Sequence, residues 1–231
     1  MISAETVYRT LEKSLLEERF AIAGTITDEL IRSWLIDKNW RVRNCAVKII
    51  GLMKREQYVQ DLVCIMTDRT PVPIINRLFG GDFYQVGFIR RNAAGALGAI
   101  GIITPEVISG LFCALRDPYW EVRVESIRTC RKLFSHNSPL ELFEVISRLT
   151  SDRSFEVVVE AVTAMGELAS DSSVVNKLRN VYNHPNVLVK TAGINALKKL
   201  YERAVITDKM IIIRELNNIF IPGTYAHNNS P

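Results

Sequence analysis

Residues 117–133 read DPYWEVRVESIRTCRKL. Val122, Ser126, Ile127, Cys130 and Leu133 recur at intervals of three and four, the spacing of one helical face. The stretch opens on Asp117-Pro118, and we expect Asp117 to cap the helix with Pro118 at its first position. The same frame returns four times. WRVRNCAVKIIGLM starts at Trp40, GFIRRNAAGALGAI at Gly87, FEVVVEAVTAMGEL at Phe155 and VLVKTAGINALKKL at Val187. Each has an aliphatic residue, usually a basic one next, and a small residue three positions later: Ala46, Ala93, Ser126, Ala161 and Gly193. The basic positions fall at Arg43, Arg90, Arg123, Val158 and Lys190, spaced 47, 33, 35 and 32 residues apart. A period near 33 with one long interval is the mark of stacked units.

The segments between read as a first helix for each unit. TPEVISGLFCALR starts with Thr104-Pro105, and SPLELFEVISRLT starts with Ser138, Pro139 and Glu141 in capping-box order. Six residues before the basic position stand Asp37, Tyr84, Asp117, Asp152 and His184. The D-x-x-x-x-V-R-x-x-A frame is complete from Asp37 to Ala46 and nearly so from Asp117 to Ser126. The other three copies are degraded.

These frames resemble the HEAT repeat family, and more closely the short HEAT-like repeats also seen in phycobilin lyases. The resemblance covers roughly residues 27 to 220. It implies an all-α fold, a right-handed α-α superhelix of about six helix pairs. It further implies that Arg43, Arg90 and Arg123 form a ladder with Asp37, Asp117 and Asp152. We expect one continuous solenoid over residues 1–221, with a cap at 1–26 and a disordered polar tail at 222–231. Residues 4–22 read as an amphipathic first helix, and 208–220 as an isoleucine-rich closing one.

The glycines of RRNAAGALGAIG, residues 90–101, invite a phosphate-loop reading. A dinucleotide loop needs a preceding strand, and a P-loop needs Lys-Ser/Thr at its end. Neither is present. Gly98 shares its repeat position with Gly51 and Gly166, so we read these glycines as helix-packing residues.

Function has fewer handles. The long interval carries about 14 extra residues within 68–88, which we read as an inter-repeat insertion. It holds two prolines, Gly80-Gly81 and the aromatics Phe83, Tyr84 and Phe88, with Phe79 and Phe83 placed to cover a neighbouring groove. It is either a binding element or a packed elaboration of a turn. Arg91 has no repeat-wide equivalent and is freer to bind. Trp40, Tyr119 and Trp120 head second helices, where tryptophan is either an interface anchor or inter-repeat core. Lys48, Arg128, Arg131, Lys198 and Lys199 add basic character further along. The partner-binding candidates are therefore Phe83, Tyr84, Phe88, Arg91, Trp120, Arg128 and Arg131.

Catalytic and metal constellations are not found. His136, His184 and His227 are scattered, none beside a glutamate, and no zinc spacing occurs. No cofactor is expected. Cys45, Cys64, Cys113 and Cys130 form no C-x-x-C pair and read as free, buried thiols, as in a reducing compartment. No stretch approaches the length of a membrane span, and the N-terminus lacks a signal-peptide core. We expect a cytoplasmic protein. The net charge of +4 permits a nucleic-acid partner, but the second-helix faces are mixed rather than a basic stripe. The reading is a non-catalytic scaffold that binds an extended protein partner along its second-helix face and the insertion. Two alternatives stand beside it. One is a lyase-like tetrapyrrole-handling protein or a glycosylase-like enzyme, the latter through Asp117 beside tryptophan. The other is a nucleic-acid-binding solenoid.

Overall fold

The computed structural model describes residues 3–14, 22, 24–68, 83–134, 138–169, 174–182, 184–204 and 206–220. Among them the regular structure is helical throughout, and twelve α-helices are present. They are α1 (Ala4–Lys13), α2 (Asp28–Leu35), α3 (Trp40–Leu52), α4 (Val59–Thr67), α5 (Phe83–Ile100) and α6 (Pro105–Ala114). The rest are α7 (Trp120–Phe134), α8 (Leu140–Arg148), α9 (Phe155–Leu168), α10 (Val174–Tyr182), α11 (Val187–Arg203) and α12 (Ile206–Phe220). The chain forms two compact units, Met1–Leu133 and Phe134–Pro231.

In the first unit the second helices stack on one another, α1 on α3 and α3 on α5, while the first helices α4 and α6 form the other layer. The periodic apolar residues meet between the layers. Ile49 and Ile50 of α3, Leu62 and Met66 of α4, Leu97 of α5 and Leu111 of α6 are fully buried. The second unit repeats the plan, with α9 on α11 and with α10 and α12 packed behind α11. Its core gathers Val162, Met165, Leu178, Val189, Leu197 and Ile212.

The turns show how the repeat frame works. The acidic residue ahead of each second helix is not its cap. Asp37 Oδ1 accepts from the Asn39 amide at 2.7 Å, and Asn39 in turn caps α3 by accepting from the Arg41 amide. Asp117 accepts from Tyr119 N–H, Asp152 from Ser154 N–H, and the His184 ring Nδ1 from Asn186 N–H. The side chain at this position, three residues before the helix starts, thus closes a turn that ends on the residue just ahead of the helix, as an Asx turn for the three aspartates and through the ring nitrogen for His184. Pro118 and Pro185 consequently lie in that turn, not in the helix. At the first helices, Thr104 does cap α6, with Pro105 at its first position. Pro139, rather than Ser138, holds the cap position of α8, and no side chain caps it.

Gly98 behaves as the repeat register implies. A Cβ on Gly51 would stand 2.9 Å from Ala96 Cα, one on Gly98 3.0 Å from Thr129 Oγ1, and one on Gly166 2.6 Å from Ala196 Cα. The same two register positions therefore meet in three places, α3 with α5, α5 with α7 and α9 with α11. Gly101 falls outside the helix: at φ +85° it ends α5 in the left-handed conformation that glycine adopts without strain. All four cysteines are free. Cys45 and Cys130 are buried as expected, whereas Cys64 and Cys113 are exposed.

Candidate binding groove on the second helices

One groove of about 470 Å³ lies within the first unit, on the faces of α1, α3, α5 and α7. Gly51, Gly95, Ala96 and Ala99 give it a floor of small residues. The floor follows from the packing just described, since α3 and α5 approach through Gly51 and Ala96. Its walls carry Tyr8, Lys48, Arg91, Asn92, Glu125 and Arg128, with the exposed Leu52 as an apolar member.

Each polar wall residue is held. Tyr8 donates its hydroxyl proton to Glu12 at 2.6 Å, and its phenol is pushed up to about 12, first by burial and then by that carboxylate. It therefore stays neutral near neutral pH. Lys48 lies over the Tyr8 ring, 4.5 Å from its centroid, with its ammonium 3.5 Å from the hydroxyl oxygen. Asn92 donates to Asn44 Oδ1 at 2.6 Å, tying α5 to α3 across the face. Arg91 stacks over Phe88, 4.9 Å from the ring centroid. On α7, Arg128 stands 3.6 Å from Glu125. The Glu125 carboxylate lies against Gly95, where a Cβ would stand 2.9 Å from Glu125 Oε1 and would shift this flexible side chain.

Next to Arg91 in the chain, Arg90 belongs to a buried ion pair. Arg90, 4% exposed, makes two hydrogen bonds to Asp117, which is fully buried, at 2.7 and 3.0 Å. Its remaining amino group reaches the Asp68 carbonyl at 3.3 Å. Tyr119 covers the pair, with Arg90 5.3 Å from its ring centroid and Gly87 making room for the ring. Arg43 and Arg123 hold the main chain of their own turns. Arg43 donates to the carbonyls of Asp37 and Lys38, and Arg123 to those of Asp117 and Pro118. The Arg43 guanidinium thus meets the carbonyl of Asp37, not its carboxylate, in contrast to the ladder implied by the resemblance. Asp152 belongs to the second unit, where its carboxylate closes the turn before α9.

Of the residues singled out from sequence, Arg91 and Arg128 meet in the groove. Phe88 supports Arg91 from beneath. Trp120 is 41% exposed at the head of α7 but is not among the groove residues, and neither is Arg131. Phe83 and Tyr84 lie in the first turn of α5, so residues 83–88 of the expected insertion are helix; the Phe83 and Tyr84 side chains lie outside the description. Residues 69–82, Phe79, His136, His227 and the 222–231 tail lie outside the described residues. The reading from sequence passed over Tyr8, Asn44, Asn92 and Glu125 as site residues. A signal was available for the groove's position: Lys48, Gly95 and Arg128 each follow the frame's arginine by five residues, which puts them on one face.

Among the described residues no three His, Cys, Asp or Glu side chains gather to hold a metal, and no helix is long and apolar enough to cross a membrane.

No family model matches the chain, and no curated protein matches it. Solved structures do. A computationally designed armadillo repeat protein for modular peptide recognition matches with a TM-score of 0.56 at 15% identity, over 85% of this chain and 91% of that one. A chain from the complex of CpcE and CpcF of phycocyanin lyase, from Nostoc sp., matches with a TM-score of 0.56 at 19% identity, over 84% and 77%. An archaeal HEAT-like repeats protein from Thermococcus onnurineus matches with a TM-score of 0.52 at 14% identity, over 100% and 92%. At these identities the likeness is one of fold, and the fold of this chain is that of the HEAT-like repeat proteins.

Proposed function

We propose that the chain is a non-catalytic scaffold that holds an extended segment of a protein partner along the second-helix face of its first unit. The observation that carries this is the groove itself. Its small-residue floor lets a backbone lie close, and its walls offer a side-chain amide, a phenol and charges of both signs. Neighbouring packed helices are roughly 10 Å apart, and an extended chain advances about 3.3 Å per residue. A groove across four helices therefore suits a segment of roughly ten residues. We also assign the 68–88 insertion a part in capture, because its helical end carries Phe88 under Arg91.

A displayed library of random peptides, panned on the protein and on Ala99→Trp, tests the reading. Tryptophan at this half-buried position fills the groove. Sequences retained by the native chain and lost by the variant are expected. No enrichment, or enrichment indifferent to the substitution, overturns the proposal.

The likeness to a phycocyanin lyase chain supports a second reading, in which the groove takes an open-chain tetrapyrrole with its propionates at Lys48 and Arg91. A red-shifted, saturable absorbance change with such a pigment is its expected signature.

A further inference from the structure

The charges in the groove are unevenly matched. Arg128 has Glu125 at 3.6 Å on its own helix. Lys48 is turned to the face and hydroxyl of Tyr8, a neutral group that stands between it and the Glu12 carboxylate. Arg91 meets the side-chain oxygen of Asn92 at 3.4 Å and the ring of Phe88. Among the described residues neither Lys48 nor Arg91 has a carboxylate partner. Both are half-buried against the small-residue floor, where solvent screens a charge less than on an open surface. Two cations on adjacent helices thus hold part of their field available to an incoming group. Aromatic contacts orient both, which lowers the entropy lost when they bind.

From this we infer that the groove selects an acidic extended polypeptide segment, with Lys48 and Arg91 receiving two of its carboxylates. The inference rests on the scaffold reading and specifies its partner. The two receiving groups stand on neighbouring helices, so the acidic residues of the partner are spaced two to four apart, given about 3.3 Å per residue. Asn92 lines the stretch between, held by its bond to Asn44 behind it, and is suited to main-chain groups, since its amide keeps donor capacity beyond that bond. Glu125 marks the other end and disfavours a further acidic residue there. Among the described residues the one aromatic side chain in the walls, Tyr8, has its ring occupied by Lys48, so none of them offers a free stacking platform for nucleobases.

The test is fluorescence anisotropy with three labelled peptides of about twelve residues, alternating Glu-Ala, Gln-Ala and Lys-Ala, and a single-stranded oligonucleotide of similar length. The Glu-Ala peptide is expected to bind at least about tenfold more tightly than the other two peptides, and to weaken as salt rises. Lys48→Glu with Arg91→Glu should abolish that preference. Lys190→Glu with Lys198→Glu, the same charge change on exposed residues of the second unit, should leave it nearly intact. Lys48→Ala alone, a milder change, should weaken binding about fivefold and guards against misfolding of the double reversal. Equal binding of all three peptides overturns the acidic preference and leaves the scaffold reading standing. Tighter binding of the oligonucleotide overturns the preference for polypeptide. Equal losses in the two double variants would show net charge at work, not this site. Failure of every peptide overturns both readings.

Discussion

Arg90 and Val158 occupy the same position of the same repeat frame, and the two units use it in opposite ways. In the first unit Arg90 is buried and clasps Asp117 through two hydrogen bonds. In the second, Val158 is equally buried but belongs to an apolar cluster with Val162 and Val189. The contrast continues on the second-helix faces. In the second unit, Lys199 pairs with Glu167, and Arg203 donates to the carbonyls of Gly166 and Glu167 at the end of α9. These two cations are consumed in tying α9 to α11. In the first unit Lys48 and Arg91 rest on aromatic rings in a groove. A repeat position specifies that something must be buried, while the neighbouring sequence decides whether it is an ion pair or a methyl group. A buried ion pair adds little net stability over a hydrophobic pair but is costly to break by halves. The second unit can therefore dispense with the pair, and the first unit is sensitive at either partner.

The largest expected effect sharpens this contrast. Arg90→Ala leaves the Asp117 carboxylate buried without its cation and should lower stability by about 3–5 kcal/mol in chemical denaturation. Replacing both Arg90 and Asp117 by leucine should recover much of that loss. If the single and double replacements are equally harmful, the pair is not the reason for the sensitivity. The matching change in the second unit, Val158→Ala, removes only buried methyl groups and should cost about 1–3 kcal/mol.

Glycines extend the comparison at smaller scale. Gly166→Ala brings a methyl against the backbone of α11 and should destabilise by about 1–2 kcal/mol even after its gain in helix propensity. Gly95→Ala meets only the movable end of Glu125, so stability should change little or rise by up to about 1 kcal/mol. The same substitution should weaken peptide capture, because it displaces Glu125 in the groove. Thermal melting and anisotropy would separate the two effects.

The smallest effect is one of pH. Tyr58 is fully buried, donates to Asp28, and is raised from 10.0 to about 12 by burial and then by that carboxylate. Unfolded tyrosine ionises near 10 while the folded phenol keeps its proton, so stability falls as pH rises from about 10 through 12. Tyr58→Phe should make that fall shallower, measured as denaturation midpoints at a series of alkaline pH values.

Much of the fold was legible because it is periodic. Five copies of a frame gave the second helices and their spacing, and Gly51, Gly98 and Gly166 announced the close contacts between them. The cap positions were misjudged by two residues, because an aspartate that closes a turn and one that caps a helix look alike before the backbone is seen. The groove was harder to read. Arg91 and Arg128 stood out as charged residues outside the pattern. Asn44, Asn92, Tyr8 and Glu125 did not, because their meaning comes from contacts between repeats: an amide pair 48 residues apart, and a carboxylate seated against a glycine on another helix. Such pairs leave no mark in any single repeat.

Nuclear magnetic resonance of the side-chain amides during titration with the Glu-Ala peptide tests directly whether the groove of the first unit holds it. Saturable shifts of Asn92 and of Asn44, its hydrogen-bond partner, are expected, with Asn195 of the second unit unmoved. Shifts confined to the second unit, or none at saturation, would contradict binding in that groove.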